Sequence, residues 1–361
     1  MTRTSSQFLM SFERARYMPQ NNFIVATRGP NPELYIWDVS KHPSFPDERN
    51  RISSPQGVCI GHEKEGYAMA WSPHTAGMLC SGSEDTTVKL WDVSAAYCAG
   101  STPGTQISTP ITFSCHTATV EDVAWHCKDS NMIGSVGDDK RICIWDTRQP
   151  DKPIHNVVNA HESDINCIAF NPQMEYIVAT GCAGTSCFPS EKSISLLLSR
   201  LTFLFVVVSF PLYFFTDSTI SVWDMRNMTK PMSQLMGHLD QVFKVEWSPF
   251  NESILGSCSA DRRVALWDLS RIGQEQSAED ADDGPPELLF IHGGHTNKVS
   301  DFSWNINDEW SLISVSEDNV LQVWKPAEEI YAEEDDDEDD VDDTETKAKK
   351  AKVDVEDNDL E

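Results

Sequence analysis

With 361 residues, 40% of them apolar, the chain can bury a sizeable core, and closed all-β repeat folds commonly reach this length as one unit. Its 57 Asp and Glu outnumber 28 Lys and Arg, a net charge of −29. Residues 328–361 hold 18 of the acids and 4 Lys, so the body is acidic as well; direct nucleic-acid binding is not expected and a basic protein partner is favoured.

The ten Cys are scattered singly, with no CxxC pair and no two short Cys/His pairs at ligand spacing. No signal peptide opens the sequence, so reduced thiols and no zinc site are expected, as is the absence of any cofactor.

In chain order, residues 1–10 match no pattern. A first unit at 14–38 ends in Trp37-Asp38 without an opening His. Four further units then share one spacing. They open at His62, His116, His238 and His295, and Ser81, Ser135, Ser257 and Ser314 follow 19 residues on. Asp85, Asp139, Asp261 and Asp318 come 23 residues after the His, and Trp91, Trp145, Trp267 and Trp324 six after the Asp. The intervening text, rich in β-branched and apolar residues, predicts strands such as 78–81, 88–91, 142–145 and 264–267, with acidic turns between them. Another unit starts at His161 with Thr180 in the Ser position, yet its Asp217 and Trp223 arrive 33 residues late. Six units are visible in all. A Ser, His and Asp in one network invites a hydrolase reading. A catalytic site is single, however, whereas this set recurs unit after unit, so it is read as structural and no enzyme is expected.

The late arrival in the His161 unit is an insertion at 184–216, rich in Phe, Leu, Val and Ser. Without it Asp217 falls 23 residues after His161, as elsewhere. Its longest apolar run, 201–215, is 15 residues with Pro211 inside, short of the roughly 20 that a membrane span needs. A translated intron is the expected origin: a pyrimidine-rich tract encodes such residues, and Gly184 and Thr216-Asp217 admit donor and acceptor sites that regenerate an Asp codon in frame.

These repeats resemble the WD-repeat family, whose four-stranded blades form a β-propeller. An all-β propeller over 11–327 is expected, six units against the seven blades common in that family, followed by a disordered acidic tail from 328. Within the family, the segments 14–20 (RARYMPQ), 66–71, 120–126, 135–139, 243–249 and 274–295 (QEQSAEDADDGPPELLFIHGGH) resemble the retinoblastoma-binding, MSI-like histone chaperones, which include the small subunit of chromatin assembly factor. That family's N-terminal helix and first blade have no counterpart here, so an N-terminal truncation is expected. The resemblance implies nuclear localisation and core histones as partners, within chromatin assembly, deacetylase or methyltransferase complexes.

Two surfaces follow. One is the mouth of the central channel, where an acidic rim with two aromatics suits Lys or Arg: Glu65, Tyr67, Glu121, Asp138, Asn166, Phe243, Glu317 and Asn319. The other is the loop at 279–286, which in relatives packs on a histone helix. Asp280, Asp282 and Asp283 supply charge there, and Gly284, Pro285 and Pro286 stiffen its exit. Lys347, Lys349, Lys350 and Lys352 suggest a nuclear-import patch. A rival role is substrate receptor of a cullin–RING ubiquitin ligase. The stretch 139–148 (DKRICIWDTR) resembles the WDxR box that ligase adaptors read, with Asp139, Ile144, Trp145, Asp146 and Arg148 as its elements.

Overall fold

The computed structural model describes residues 13–43, 54–98, 102–108, 111–184, 218–277 and 284–331. They build six sheets, antiparallel except for one added parallel strand, the blades of a propeller. Blade 1 comprises β1 (Arg14–Met18), β2 (Asn21–Arg28), β3 (Leu34–Asp38) and β4 (Gly57–Ile60). Blade 2 comprises β5 (Met69–Trp71), β6 (Met78–Gly82) and β7 (Thr87–Asp92). Next in sequence, β8 (Thr105–Ser108) returns to lie parallel to β4, and β9 (Ile111–Ser114) completes blade 2. Blade 3 holds β10 (Val120–Trp125), β11 (Met132–Gly137), β12 (Ile142–Asp146) and β13 (His155–Val157). Blade 4 holds β14 (Ile165–Phe170), β15 (Ile177–Cys182), β16 (Ile220–Asp224) and β17 (Ser233–Leu235). Blade 5 holds β18 (Val242–Trp247), β19 (Ile254–Ser259), β20 (Val264–Asp268) and β21 (Leu288–His292). In blade 6, β22 (Val299–Trp304), β23 (Leu312–Ser316) and β24 (Leu321–Trp324) form a sheet of three.

Middle strands such as β15 and β19 are buried along their whole length, because a neighbouring blade covers each face. Apolar residues therefore run without alternation there, as in any sheet covered on both sides. Each of the five core clusters joins two consecutive blades, from 1–2 through 5–6. A repeated clamp sets the blade spacing. The last aromatic of an inner strand packs on the preceding blade, and where it is Trp its indole N–H donates to a carbonyl there. The pairs are Trp71 to Arg16 (2.9 Å), and Trp125 to Ala70, Trp247 to Ala169 and Trp304 to Glu246 (each 3.1 Å).

Blade 1 breaks this series. Tyr17 pairs with Val25 and through it with Trp37, the register that Trp125 keeps with Ile133 and Trp145. Tyr17 is nevertheless 62% exposed, whereas Trp71, Trp125, Phe170, Trp247 and Trp304 are 4–7% exposed. Leaving such a ring in water forgoes roughly 2 kcal/mol of burial.

Inside blades 2, 3, 5 and 6 the repeat residues form one relay. In blade 3, His116 Nδ1 lies 3.0 Å from Asp139 and its Nε2 2.8 Å from Ser135 Oγ, which accepts the Trp145 indole N–H at 2.9 Å. With the imidazole proton facing the carboxylate, the hydroxyl donates to Nε2, so every buried polar atom along the line is satisfied. Blade 4 keeps the relay's centre, Thr180 Oγ1, between His161 (2.8 Å) and Trp223 (3.0 Å). Blade 1 lacks the His and retains the last link alone, Trp37 to Thr27 at 2.7 Å.

The insertion falls between β15 and β16. β15 and β16 pair in register up to Gly181 opposite Ile220, and the Cys182 N–H donates to the Thr219 carbonyl at 3.1 Å. The Ala183 N–H reaches Asp164 O, the bond that Asp138 makes to Thr119 in blade 3. The blade is thus complete on both sides of residues 185–217, which lie outside the described residues, as do residues 1–12 and the tail beyond 331. The compact body ends at Pro326, and Glu328–Tyr331, expected to open a disordered tail, forms a helical turn. No helix among the described residues is long and apolar enough to cross a membrane.

Candidate functional site

A β-bulge recurs near the start of the inner strand in blades 3 to 6. The register skips one residue between Val120 and Asp122, Ile165 and Cys167, Val242 and Lys244, and Val299 and Asp301. The skipped residues are Glu121, Asn166, Phe243 and Ser300. A bulge leaves its extra residue out of the ladder and re-aims the side chain, and these four line one cavity of about 890 Å3 at the channel mouth.

Six of the eight expected rim residues line this cavity: Tyr67, Glu121, Asp138, Asn166, Phe243 and Glu317. Glu65 and Asn319 do not. Glu65 acts on Tyr67 through its charge. Asn319 is the left-handed residue of its turn (φ 63°), as Thr86, Lys140 and Arg262 are in theirs, so backbone geometry explains its type. Of the acidic loop, Asp280, Asp282 and Asp283 lie outside the described residues. Gly284 adopts φ 139° and its carbonyl accepts from Gln276, while the Pro285 carbonyl accepts from the Leu288 N–H in a turn carrying Pro286 into β21.

The rim is not uniformly acidic, which corrects the sequence expectation. Arg14, Arg16, Lys244 and Lys298 also line the cavity. Arg14 pairs with Asp122 (3.2 Å), Arg16 with Asp301 (3.0 Å), Lys244 with Asp301 and Glu246 (each 2.8 Å), and Lys298 with Glu317 (2.9 Å). Lys298 also stands 5.8 Å over the Phe243 ring, so that aromatic and Glu317 already hold a cation. The blades 5–6 side of the mouth is internally neutralised.

The opposite side is not. Glu121, Asp138 and Asp164 face the cavity with no ion pair among the described residues, and Tyr67 stands near Glu13, Glu65, Glu84 and Glu121. Burial, reinforced by Asp138, Asp122, Asp164 and Glu84, pushes Glu121 up to about 7; burial and Asp164 raise Asp138 as well. Desolvated carboxylates that repel one another are relieved by a bound cation. Sequence reading missed Asp164 and Glu13. Counting four residues back from Tyr17, as Glu121 stands four before Trp125, would have found the second.

The relay Ser–His–Asp sets are sealed. The His62 side chain is fully buried and that of Asp85 nearly so, leaving no room for a substrate. Burial alone would raise Asp85; hydrogen bonds from His62, Thr87 and the Glu63 N–H outweigh it and hold the carboxylate far below its usual range. Asp139, Asp261 and Asp318 are held low by equivalent bonds, Asp318 at about 2. Opposite signs at the mouth and in the relays set the pH profile. Groups with raised values (Glu121, Asp138) destabilise the fold as pH climbs from about 4.5 through 7. The depressed aspartates stabilise it above about 4, and that support is lost below. Burial also lowers His62, which disfavours the fold as pH falls through 6.5 and trims the gain. Urea midpoints are expected to peak between roughly pH 4.5 and 6 and to fall steeply below 4, with Glu121→Gln flattening the alkaline limb.

The ligase-box residues divide sharply. Asp139 and Trp145 belong to the blade 3 relay and Ile144 is wholly buried, so Asp146 and Arg148 alone reach solvent. Arg148 forks onto Asp146, and Arg226 onto Asp224 in blade 4, with closest contacts of 2.6 Å in both.

A repeat fold of radial blades, with the full polar relay in four of them and a cavity at one end, defines a docking platform. Five stretches, 53–92, 107–146, 152–188, 229–268 and 286–325, match the model of the WD domain, G-beta repeat, and together they cover more than half of the chain. The protein belongs to the WD-repeat family. Four of the matches take the fourth strand of one blade and the first three of the next; the third takes a fourth strand and the first two, and ends five residues into the insertion. WD propellers are characteristically non-catalytic scaffolds that bind protein partners.

Proposed function

We propose that this propeller is a nuclear histone-binding adaptor of the MSI-like kind, serving chromatin assembly or modifying complexes by docking a basic histone-tail peptide at its channel mouth. The observation that carries the reading is the uncompensated sector of Glu121, Asp138 and Asp164 beside Tyr67. A Lys or Arg side chain entering there meets carboxylates already desolvated and in want of positive charge, with an aromatic face alongside. Because Glu121 is pushed up to about 7, it is largely protonated at pH 6 and ionised at pH 8. Affinity for a core-histone tail peptide is therefore expected to rise as pH is raised through 7, releasing a proton on binding. Calorimetric titration at pH 6, 7 and 8 reads this directly; pH-independent binding would count against the site.

A second reading has one observation in its favour. Arg148 and Arg226 present the same exposed Asp-braced fork on adjacent blades, the geometry of a WDxR pair for a cullin–RING ligase adaptor. Capture of such an adaptor by a chain that binds no histone peptide would favour that role. We further infer that residues 184–216 are a translated intron, a reading supported by the in-register meeting of β15 and β16 on either side of them.

A further inference from the structure

Two cysteines meet where blade 2 leads into blade 3. Cys115 follows β9, immediately before the relay residue His116, and Cys143 lies on β12, two residues before Trp145. Residues two apart on a strand share one face. That face of β12 is turned to the end of blade 2, where Phe113 packs on Trp145 with ring centroids 5.1 Å apart. Two residues on from Phe113 and two back from Trp145 come Cys115 and Cys143; Cys143 belongs to the core cluster of these blades, and Cys115 packs against it. One side-chain amide bridges the pair: Asn156 Nδ2 donates to Cys115 Sγ at 3.3 Å, and Cys143 donates to Asn156 Oδ1 at 3.9 Å. Blade 6 shows how close the two positions stand. There Gly294 and Gln322 take the places of Cys115 and Cys143, and a Cβ on Gly294 would come within 2.6 Å of Gln322 Oε1. The remaining units carry Gly61 with Lys89, Ala160 with Ser221, and Gly237 with Ala265, so the His116 unit alone has sulfur at both places.

We propose that Cys115 and Cys143 form an oxidation site, a thiol pair that peroxide closes into a reversible disulfide stapling blade 2 to blade 3. Access assigns the roles. Cys115 is half-buried and meets the oxidant first, whereas Cys143 is wholly buried. Burial and the adjoining Cys115 push the Cys143 thiol well up, which keeps it protonated until the second step. Arg141 donates to the Cys115 carbonyl at 3.3 Å and holds the loop over β12. In the first step the Cys115 sulfur, as thiolate, attacks the peroxide O–O bond; hydroxide leaves and Cys115 becomes a sulfenic acid. The Cys143 sulfur, giving up its proton, then attacks Cys115; the S–S bond forms and the sulfenic oxygen departs as water. Peroxide is reduced to two waters while two thiols are oxidised, and a small thiol reverses the bond by exchange. The staple lies beside the relay, since Cys143 pairs in register with Ser135, which bonds His116.

The test is peptide mapping of the full chain, treated with hydrogen peroxide while folded, alkylated at its remaining thiols and digested without reductant. The expected product is a pair of peptides joined through Cys115 and Cys143, lighter by two hydrogens and separated by dithiothreitol. Exposed Cys98 reports that peroxide reached the protein. Cys115→Ser should lose the joined pair. In Cys143→Ser the reaction should halt at the Cys115 sulfenic acid, which then takes up dimedone. Oxidised Cys98 beside alkylated Cys115 and Cys143 would overturn the proposal. So would Cys115 driven on to sulfinic acid while Cys143 stays a thiol. Both of these outcomes are read on the parent chain, so neither depends on a variant folding.

Discussion

Replacing Glu121 and Asp138 together by lysine is expected to weaken histone-tail peptide binding at least about 100-fold, equivalent to roughly 2.7 kcal/mol or more. Both carboxylates stand in a desolvated sector where burial and mutual repulsion already raise their proton affinity. Two lysines there turn attraction for a cationic peptide into repulsion at short range and low dielectric. Fold stability should change little, since Glu121 is a bulge residue outside the sheet ladder and Asp138 lies in a turn. A control reversal of Glu317, already held by Lys298, should weaken binding far less. Isothermal titration of the three proteins decides the matter: normal binding by the double variant would place the peptide elsewhere.

That control would not have suggested itself from the sequence. The fixed His, Ser, Asp and Trp spacings made the blades legible because each relay is local to one blade and tolerates no shift. The rim was legible only in part. Counting from the repeat His found Tyr67, Glu121, Asn166 and Phe243, which share one backbone position. Whether each faces a free cavity or a neighbour's cation depends on residues far away in the chain. Lys298 stands 55 residues after Phe243, and nothing in either segment announces that the two meet. Asn319 misled for the opposite reason: a turn position selects Asn for its left-handed backbone, and one sequence cannot separate that from a binding role. The ligase box likewise mixed buried relay residues with two solvent-facing ones.

Excising residues 184–216 is expected to leave the propeller folded and more stable by about 2 kcal/mol. Closing a hairpin through a connection some 33 residues longer carries that much extra loop entropy. The paired ends of β15 and β16 already stand as a tight turn requires, so no strand has to move. The shortened protein should show a higher urea midpoint and less aggregation, since the removed segment is rich in Phe, Leu and Val. Loss of the folded state on excision would mean that the insertion carries structure. At the level of the gene, a major transcript of 328 codons, the 361 less the inserted 33, is the expected product. A Gly184 codon other than GGT, or a Thr216 codon other than ACA, would defeat the intron reading.

The bulge at the head of the inner strand in blades 3 to 6 separates two kinds of selection. A residue left out of the hydrogen-bonded ladder is released from the pairing demands of its own sheet. Glu121, Asn166, Phe243 and Ser300 share one backbone geometry and four unrelated chemistries. Recognition in such a ring can therefore drift one blade at a time, each socket refitted without unzipping the sheet that carries it.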